Sequence, residues 1–201
     1  MEIIDTKYPG YTLAIDYHPY VQTRQILTDT SYWWEHKTRA KNPSKVSNYL
    51  LDADMINSLE YSLQHRMKDG LFNFIYYDGD LIFYSGFRID WQNKAWVHRG
   101  AGHPVLGKNH VGALSAIILP YQARIAKDRG CESYNMSFNE SNYKLYSWYK
   151  DKHYYNGKVN LRGGEKFMDE FDYHENVFVM GQNQFVATLD LTKPNIEEIL
   201  A

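Results

Sequence analysis

The chain has 201 residues, enough for one sizeable hydrophobic core, and its 22 basic and 24 acidic side chains give a net charge of −2. This balance excludes a global basic field of the kind that recruits nucleic acid. The single cysteine, Cys131, excludes an internal disulfide and is typical of a reducing compartment, and no apolar run is long enough to cross a membrane. We therefore predict one cytoplasmic domain over residues 1–201, without nucleic-acid or membrane partners.

The first half of the chain alternates between short strands and helices. Strands are predicted at residues 3–4 and 12–15, and Pro19 can open a helix. Residues 36–45 carry four basic side chains and form either a solvated loop or a lid over an acceptor substrate. Residues 52–68 have the apolar spacing of a helix. The Asp78-Gly79 pair predicts a tight hairpin between strands at 71–77 and 81–89, followed by another strand at 95–101.

The centre of the chain combines a glycine-bearing loop with a long helix. The loop spans residues 106–112 and opens directly into a helix predicted over 111–129, which Gly130 ends. A helix start presents free backbone N–H groups and a positive dipole end, which suits a phosphate. Gly107 and Gly112 allow the backbone to approach such a ligand closely.

The last third of the chain predicts strands with two short helical pieces. Residues 131–138 form a strand, residues 140–149 a short helix, and residues 152–155 a strand. Residues 164–171 can form a helical turn, and residues 177–180 and 184–189 a final hairpin. Asn195 and Glu198 have the spacing of a capping box for a terminal helix.

The loop and the segment after it resemble the core of the GNAT superfamily of N-acyltransferases. That family has a Pro-containing turn, then Arg/Gln-x-x-Gly-x-Gly/Ala, then a helix. Pro104 and Gly112 match its ends, whereas Gly107 stands at the Arg/Gln position and His110 at the middle glycine. Asn139 lies seven residues before Tyr146, which matches the family's downstream Asn and Tyr.

The resemblance implies a mixed, mostly antiparallel α/β (α+β) sheet with helices on both faces. It also implies transfer of an acetyl group from acetyl-CoA to an amine by direct attack in a ternary complex. The acceptor, a small molecule or a peptide amine, stays open, as does homodimer formation. The residues implied in binding acetyl-CoA are Ala101, Gly102, His103, Gly107, Lys108, Asn109, His110, Val111, Gly112, Ala113 and Asn139, with the diphosphate on the backbone N–H groups of residues 108–113.

Three residues are candidates for the chemistry that the resemblance implies. Tyr146 is expected to give a proton to the departing thiolate, because a phenol is protonated at neutral pH. His98 and Glu132 are candidates for the base that deprotonates the amine, with His103 as a third and a water chain as an alternative. A backbone N–H within residues 95–102 is the expected donor to the thioester oxygen.

Other classes of function compete with acetyl transfer. The departures at Gly107 and His110 allow a GNAT-like fold without catalysis, whose tyrosines and tryptophans bind protein or glycan. The basic strip at 36–45 allows a single-stranded nucleic-acid binder, which the acidic net charge disfavours. The spacing of His98, His103 and His110 matches no metal-binding motif, so no metal is predicted.

Overall fold

The structure is a computed structural model that describes residues 2–15, 71–103, 105–138, 143–151, 161, 163–179 and 181–201, and all of their side chains except those of His98 and Arg99. The predictions for the helices at Pro19 and at 52–68, the loop at 36–45 and the strand at 152–155 lie outside these residues. Within them, no helix has the length and apolar character needed to cross a membrane.

Eight strands form one mixed, mostly antiparallel sheet, which confirms the predicted fold class. The strands are β1 (Ile3–Asp5), β2 (Tyr11–Ala14), β3 (Leu71–Tyr77), β4 (Asp80–Ile89), β5 (Ala95–Gly102), β6 (Ser133–Phe138), β7 (Asp172–Val179) and β8 (Gln182–Asp190). The described helices are a 3₁₀ helix (Leu106–Asn109), a π-turn (Leu114–Ile118) that continues into α1 (Leu119–Asp128), α2 (Tyr143–Lys150), α3 (Gly163–Asp169) and α4 (Ile196–Ile199).

By its contacts the chain divides into two compact units. The first, here unit 1, comprises residues 1–86 and 100–109, and the second, unit 2, comprises residues 87–99 and 110–201. In unit 1 the strand order is β1-β2-β3-β4, with β1, β2 and β3 antiparallel. Its core includes Ala14, Phe72, Phe74 and Tyr84.

Unit 1 contains the predicted hairpin turn. Asp78 and Gly79 both have positive φ, +47° and +90°, as a two-residue turn between right-twisted strands requires. The predicted strand at 71–77 and its partner are therefore confirmed.

In unit 2 the strand order runs from the end of β4 through β5, β6 and β8 to β7. The pairs β6–β8 and β7–β8 are antiparallel, whereas β5 and β6 are parallel. Tyr134 on β6 donates a hydrogen bond from its hydroxyl to Gln122 Oε1 on α1, at 2.7 Å. Tyr134 therefore faces α1, and its neighbour Asn135 faces the opposite side of the sheet.

Three local predictions differ from the structure. β7 begins at Asp172 rather than at residue 177, because a register shift between His174 and Val177 interrupts the alternation that marks a strand. Asn195 precedes α4, but its side chain makes no capping hydrogen bond.

The central helix begins as a π-turn, in which the N–H of Leu119 bonds to the carbonyl of Leu114. Pro120 explains this shift, since it lacks an N–H and its ring would clash with the carbonyl four residues back.

Candidate active site

His103 organises the loop that follows β5 in unit 1. Its Nδ1 accepts hydrogen bonds from the backbone N–H groups of Val105 and Leu106, at 3.2 and 3.0 Å. Its carbonyl accepts from the N–H of Gly107 at 3.0 Å. A nitrogen that accepts two hydrogen bonds carries no proton, so this imidazole caps the 3₁₀ helix through Nδ1. The sequence offered His103 as a candidate base. Its Nδ1 is not favoured in that role, because it already accepts two backbone hydrogen bonds.

The glycines of unit 1 provide room for one aromatic ring. A Cβ on Gly102 would lie 2.5 Å from the ring of Phe83, and a Cβ on Gly107 would lie 3.4 Å from it. Ala101 packs against the core that includes Phe72 and Phe74. Close packing against Phe83 thus explains why glycine occupies positions 102 and 107. Lys108 and Asn109, by contrast, are exposed.

The start of the long helix, in unit 2, offers two backbone donors. Gly112 has φ +91°, a left-handed conformation that glycine adopts without strain. The N–H of Ala113 donates a hydrogen bond to the carbonyl of His110, at 3.1 Å. The N–H groups of Val111 and Gly112 donate to no acceptor in the part of the chain that the structure describes. The N–H of Lys108 also bonds, to the carbonyl of Val105 within unit 1 at 3.3 Å. The predicted diphosphate donors therefore narrow from residues 108–113 to residues 109–112.

α3 packs directly against this helix start. A Cβ on Gly164 would lie 2.4 Å from Ser115 Oγ, 2.9 Å from the N of Ala116 and 3.0 Å from the carbonyl oxygen of Gly112. The absence of a side chain at Gly164 is therefore what lets α3 touch the backbone of the π-turn. The sequence predicts a helical turn at residues 164–171 but not this contact, because nothing local connects residue 164 with residue 112.

The parallel ladder between β5 and β6 is short. Its register partners are Ala95 with Tyr134 and Trp96 with Asn135. Val97 and Met136 come next and are both described, but they are not paired, although β6 continues to Phe138. Beyond Trp96 the two strands are therefore not held together by the ladder.

Tyr146 lies fully buried in a group of aromatic rings near the end of β6. Its ring centroid is 5.0 Å from that of Phe185, 5.7 Å from Phe138, 5.9 Å from Tyr173 and 6.1 Å from Tyr143. These rings come from α2, β6, β7 and β8. Phe138 and Tyr134 lie on the same face of β6, so Tyr146 is on the α1 side of the sheet.

The hydroxyl of Tyr146 is the one buried side-chain polar atom without a hydrogen-bond partner in the described part of the chain. A buried unpaired hydroxyl costs about 1–3 kcal/mol, so such a group calls for an explanation. Burial raises the pKa of Tyr146 above its ordinary value, and the nearby charge of Lys150 opposes this rise. The ammonium of Lys150 lies 5.8 Å from the ring centroid and is paired with Glu175 at 3.3 Å. Tyr146 is thus a protonated donor at neutral pH.

The remaining predicted site residues are dispersed. Glu132 precedes β6, and Phe138, which contacts Tyr146, ends it, so the two lie about 20 Å apart along the strand. This placement does not favour Glu132 as the base that works opposite Tyr146. The side chain of His98, and Pro104 and Asn139 altogether, lie outside the described residues. Among the described side chains, no group of three or more His, Cys, Asp or Glu residues could hold a metal ion.

Known structures share this architecture. An N-acetyltransferase, PaiA, from Thermoplasma acidophilum in complex with coenzyme A superposes with a TM-score of 0.55 at 15% identity, covering 90% of this chain and 98% of its own. An aminoglycoside acetyltransferase, AAC(6')-Ib, in complex with coenzyme A and kanamycin gives 0.54 at 11% identity, covering 90% and 94%.

A third similar structure, a Desulfovibrio desulfuricans protein assigned to the GNAT acetyltransferase family, gives a TM-score of 0.52 at 10% identity, covering 90% and 99%. No protein-family model and no curated protein sequence matches this chain. At these identities the likeness establishes the fold, and the chain has the fold of the GNAT N-acetyltransferases.

Proposed function

We propose that this chain, with its GNAT fold, transfers an acetyl group from acetyl-CoA to an amine, with Tyr146 as the proton donor. The observation that carries the proposal is the buried Tyr146 hydroxyl, which has no partner in the described part of the chain. When bound, acetyl-CoA supplies an activated thioester and a departing thiolate that needs a proton. An unpaired phenol in a dry aromatic site is a suitable donor to such a sulfur.

The backbone at the helix start supports binding of the diphosphate. The N–H groups of Val111 and Gly112 have no acceptor among the described residues, and they precede a helix of more than ten residues. Backbone amides and the helix dipole together attract phosphate oxygens. The close approach of Gly164 to the carbonyl of Gly112 and to Ser115 supports this stretch of backbone. The other implied contacts, including those of Lys108 and Asn139, stay predictions.

The short ladder between β5 and β6 supports the acetyl position. The proposed donor to the thioester oxygen is a backbone N–H of β5 beyond Trp96, where pairing with β6 has ended. The base for the amine stays unassigned between His98 and a water chain, since Glu132 lies at the far end of β6.

The first test is a calorimetric titration of the protein with acetyl-CoA. The proposal predicts binding in the micromolar range and a rise in Tm of roughly 5–10 °C at about 100 times the Kd. A turnover assay with a panel of amines then follows thiol release.

Gly130→Ala is the matched control for changes at Gly112, because Gly130 also has positive φ (+80°) but lies at the other end of the same helix.

Two negative outcomes separate the alternatives. No heat and no Tm change at millimolar acetyl-CoA removes the enzyme proposal and favours the non-catalytic binding module. Binding of acetyl-CoA without turnover on any amine retains the cofactor site and removes the role of Tyr146.

A further inference from the structure

A wide cleft lies on the face of the sheet opposite α1, within unit 2. It has a volume of about 1100 Å³, more than the roughly 300–1,000 Å³ typical of small-molecule sites. Its floor is the sheet itself, with Trp96 on β5, Asn135 on β6 and Thr188 on β8. The turn after β4 and the strand β7 form its sides. The cleft is therefore large enough for a ligand made of several linked units.

Two large aromatic side chains of the cleft are open to solvent. Trp91 is 91% exposed and Phe178 is 74% exposed, and both line the cleft. Among the large apolar side chains in the described part of the protein, these two have the greatest exposure. A single exposed apolar side chain is common on protein surfaces, but two in one cleft indicate a surface that binds something.

Hydrogen bonds within the protein fix the turn that carries Trp91. Asp90 Oδ1 accepts from the backbone N–H groups of Gln92 and Lys94, at 2.9 Å each. Its Oδ2 accepts from the indole Nε1 of Trp96 at 2.8 Å, which ties the turn to the floor of the cleft. Because this backbone is held before any ligand arrives, little conformational entropy is lost when a ligand packs on Trp91.

Charges of both signs line the cleft and nearly balance. The charged and titratable lining groups are the carboxylates of Asp90, Glu132 and Asp190, the basic side chains of Arg88 and Lys94, and the ring of His174. Of these, Asp90 and Arg88 are engaged within the protein. A highly charged ligand of either sign would meet repulsion as well as attraction here. The cleft therefore suits a ligand without net charge.

The polar groups that remain for a ligand include both hydrogen-bond donors and acceptors. The side chains of Gln92 and Lys94, which can donate, make no hydrogen bond or ion pair with any described residue. On the acceptor side, the same holds for the carboxylate of Glu132. Asn135 Nδ2 donates to a backbone carbonyl and a serine hydroxyl, at 3.0 and 2.9 Å, so its Oδ1 is left to accept. Groups that both donate and accept, such as hydroxyls, satisfy this mixture.

Two other kinds of neutral ligand fit the cleft less well. A purely apolar chain would cover the polar atoms of Asn135 and Thr188 without bonding to them, which is unfavourable. An extended peptide adds to the edge of a sheet, because its backbone bonds lie in the plane of the strands. This cleft lies over the face of the sheet, where side chains point, so it offers no backbone ladder to a peptide.

We propose that this cleft binds a neutral oligosaccharide, with one sugar ring stacked on Trp91. One face of a hexose ring consists of C–H groups that are apolar and slightly positive, and they pack on the negative face of an indole. Phe178 offers a second aromatic face to another sugar unit. The hydroxyls donate to Asn135 Oδ1 and Glu132 and accept from Gln92 and Lys94. The ligand needs no amino group, and its binding does not depend on acetyl transfer.

The test titrates the free protein, without acetyl-CoA, with three neutral trisaccharides: cellotriose, maltotriose and mannotriose. Calorimetry should show at least one of them binding with a Kd between about 0.1 and 5 mM. That Kd should change less than about 2-fold between about 50 and 500 mM NaCl, because a neutral ligand has no charge to screen.

Two comparison ligands make the result specific. Chitosan trimer has the backbone of cellotriose with an ammonium group on each ring, and acetyl-Gly-Ser-Gly amide is a neutral peptide of similar size. Both should bind more weakly than the best trisaccharide. Tighter binding of either one, or no binding of any trisaccharide at about 20 mM, would overturn the proposal.

Substitutions at two exposed positions locate the binding. Trp91→Ala should weaken it by at least about 10-fold, whereas Trp91→Phe, which keeps an aromatic face, should stay within about 3-fold. Glu132→Gln removes a charge but keeps an accepting oxygen, so it should change the affinity less than about 2-fold. Since both side chains are exposed, the variants should fold normally, which a Tm measurement checks.

An unchanged affinity in Trp91→Ala, or a greater loss in Glu132→Gln than in Trp91→Ala, would contradict stacking of a neutral sugar on Trp91. Because acetyl-CoA is absent, these results are independent of whether the chain is a transferase.

Discussion

On the α1 face of unit 2, Tyr146 is fully buried among aromatic rings, whereas on the opposite face Trp91 and Phe178 are mostly exposed. The buried face leaves one donor, the Tyr146 hydroxyl, without a partner in the described part of the chain. On the open face, Asn135 Oδ1 and the Glu132 carboxylate receive no hydrogen bond from any described residue. A buried donor without a partner among the described residues suits the departing thiolate of the proposed acetyl transfer, whereas the aromatic side chains of the opposite face are open to solvent.

The largest expected effect is that of Tyr146→Phe. Loss of the proton donor should lower kcat by about 100-fold or more while the Kd for acetyl-CoA stays within about 2-fold. The variant should be at least as stable as the parent, since it removes a buried hydroxyl that has no partner among the described residues. Steady-state kinetics and a melting curve check both. Tyr143→Phe, on the same helix but 46% exposed, is the control and should keep full kcat. Equal loss in both variants contradicts the assignment.

Gly112→Ala tests the proposed diphosphate site at the start of the long helix. A side chain at φ +91° strains the backbone by about 1–3 kcal/mol and turns the Val111 and Gly112 amides away from a shared ligand. We expect the affinity for acetyl-CoA to fall about 30-fold. Calorimetry compares this variant with Gly130→Ala, which carries similar strain at φ +80° with open space around it. Equal affinity in the two variants argues against the diphosphate site.

Gly164→Ala tests whether α3 supports that helix start. The added methyl would meet Ser115 Oγ at 2.4 Å and the backbone of Ala116 at 2.9 Å, so the protein should lose about 1–3 kcal/mol of stability. Chemical denaturation measures this loss. The affinity for acetyl-CoA should fall about 5- to 10-fold, because the π-turn shifts with Gly112. Unchanged affinity in a destabilised variant would limit Gly164 to packing.

Lys150→Met should have the smallest effect and concerns the acidity of Tyr146. The Lys150 charge lowers the pKa of the phenol, against burial, Glu175, Tyr143 and Asp151, which raise it. Without Lys150 the pKa rises further, so the phenol is a weaker acid and kcat should fall about 3-fold. The alkaline fall of kcat, where Tyr146 loses its proton, should move to higher pH. NMR titration of the phenol and a pH–rate profile check this, with exposed Lys144→Met as control. If the alkaline limb of the pH–rate profile stays at the same pH in Lys150→Met, the charge of Lys150 does not influence the pKa of Tyr146.

Local signals in the sequence predicted much of the fold. The Asp78-Gly79 turn fixed the β3–β4 hairpin, and Gly130, at φ +80°, ended the long helix as its position indicated. The bulge in β7 was not predictable, because a positive φ at Asn176 and the shift beside it leave no repeating pattern. The π-turn was missed although its cause, Pro120, is visible in the sequence.

The candidate site was less predictable than the fold, for a physical reason. Its features join residues far apart in the chain, such as Gly164 with Gly112 and Lys150 with Glu175. Burial of Tyr146 depends on rings from four elements and could not be predicted. In the sequence, only its spacing from Asn139 distinguished it from Tyr143 and Tyr149 on the same helix.

The central claim is that backbone amides at the start of the long helix hold the diphosphate of acetyl-CoA. The most direct measurement follows the ¹H–¹⁵N signals of Val111 and Gly112 during titration with coenzyme A. The account predicts downfield shifts of both amide protons, among the largest in the spectrum and saturating at the Kd found by calorimetry. Calorimetric binding that leaves both signals unmoved would place the cofactor elsewhere and contradict the account.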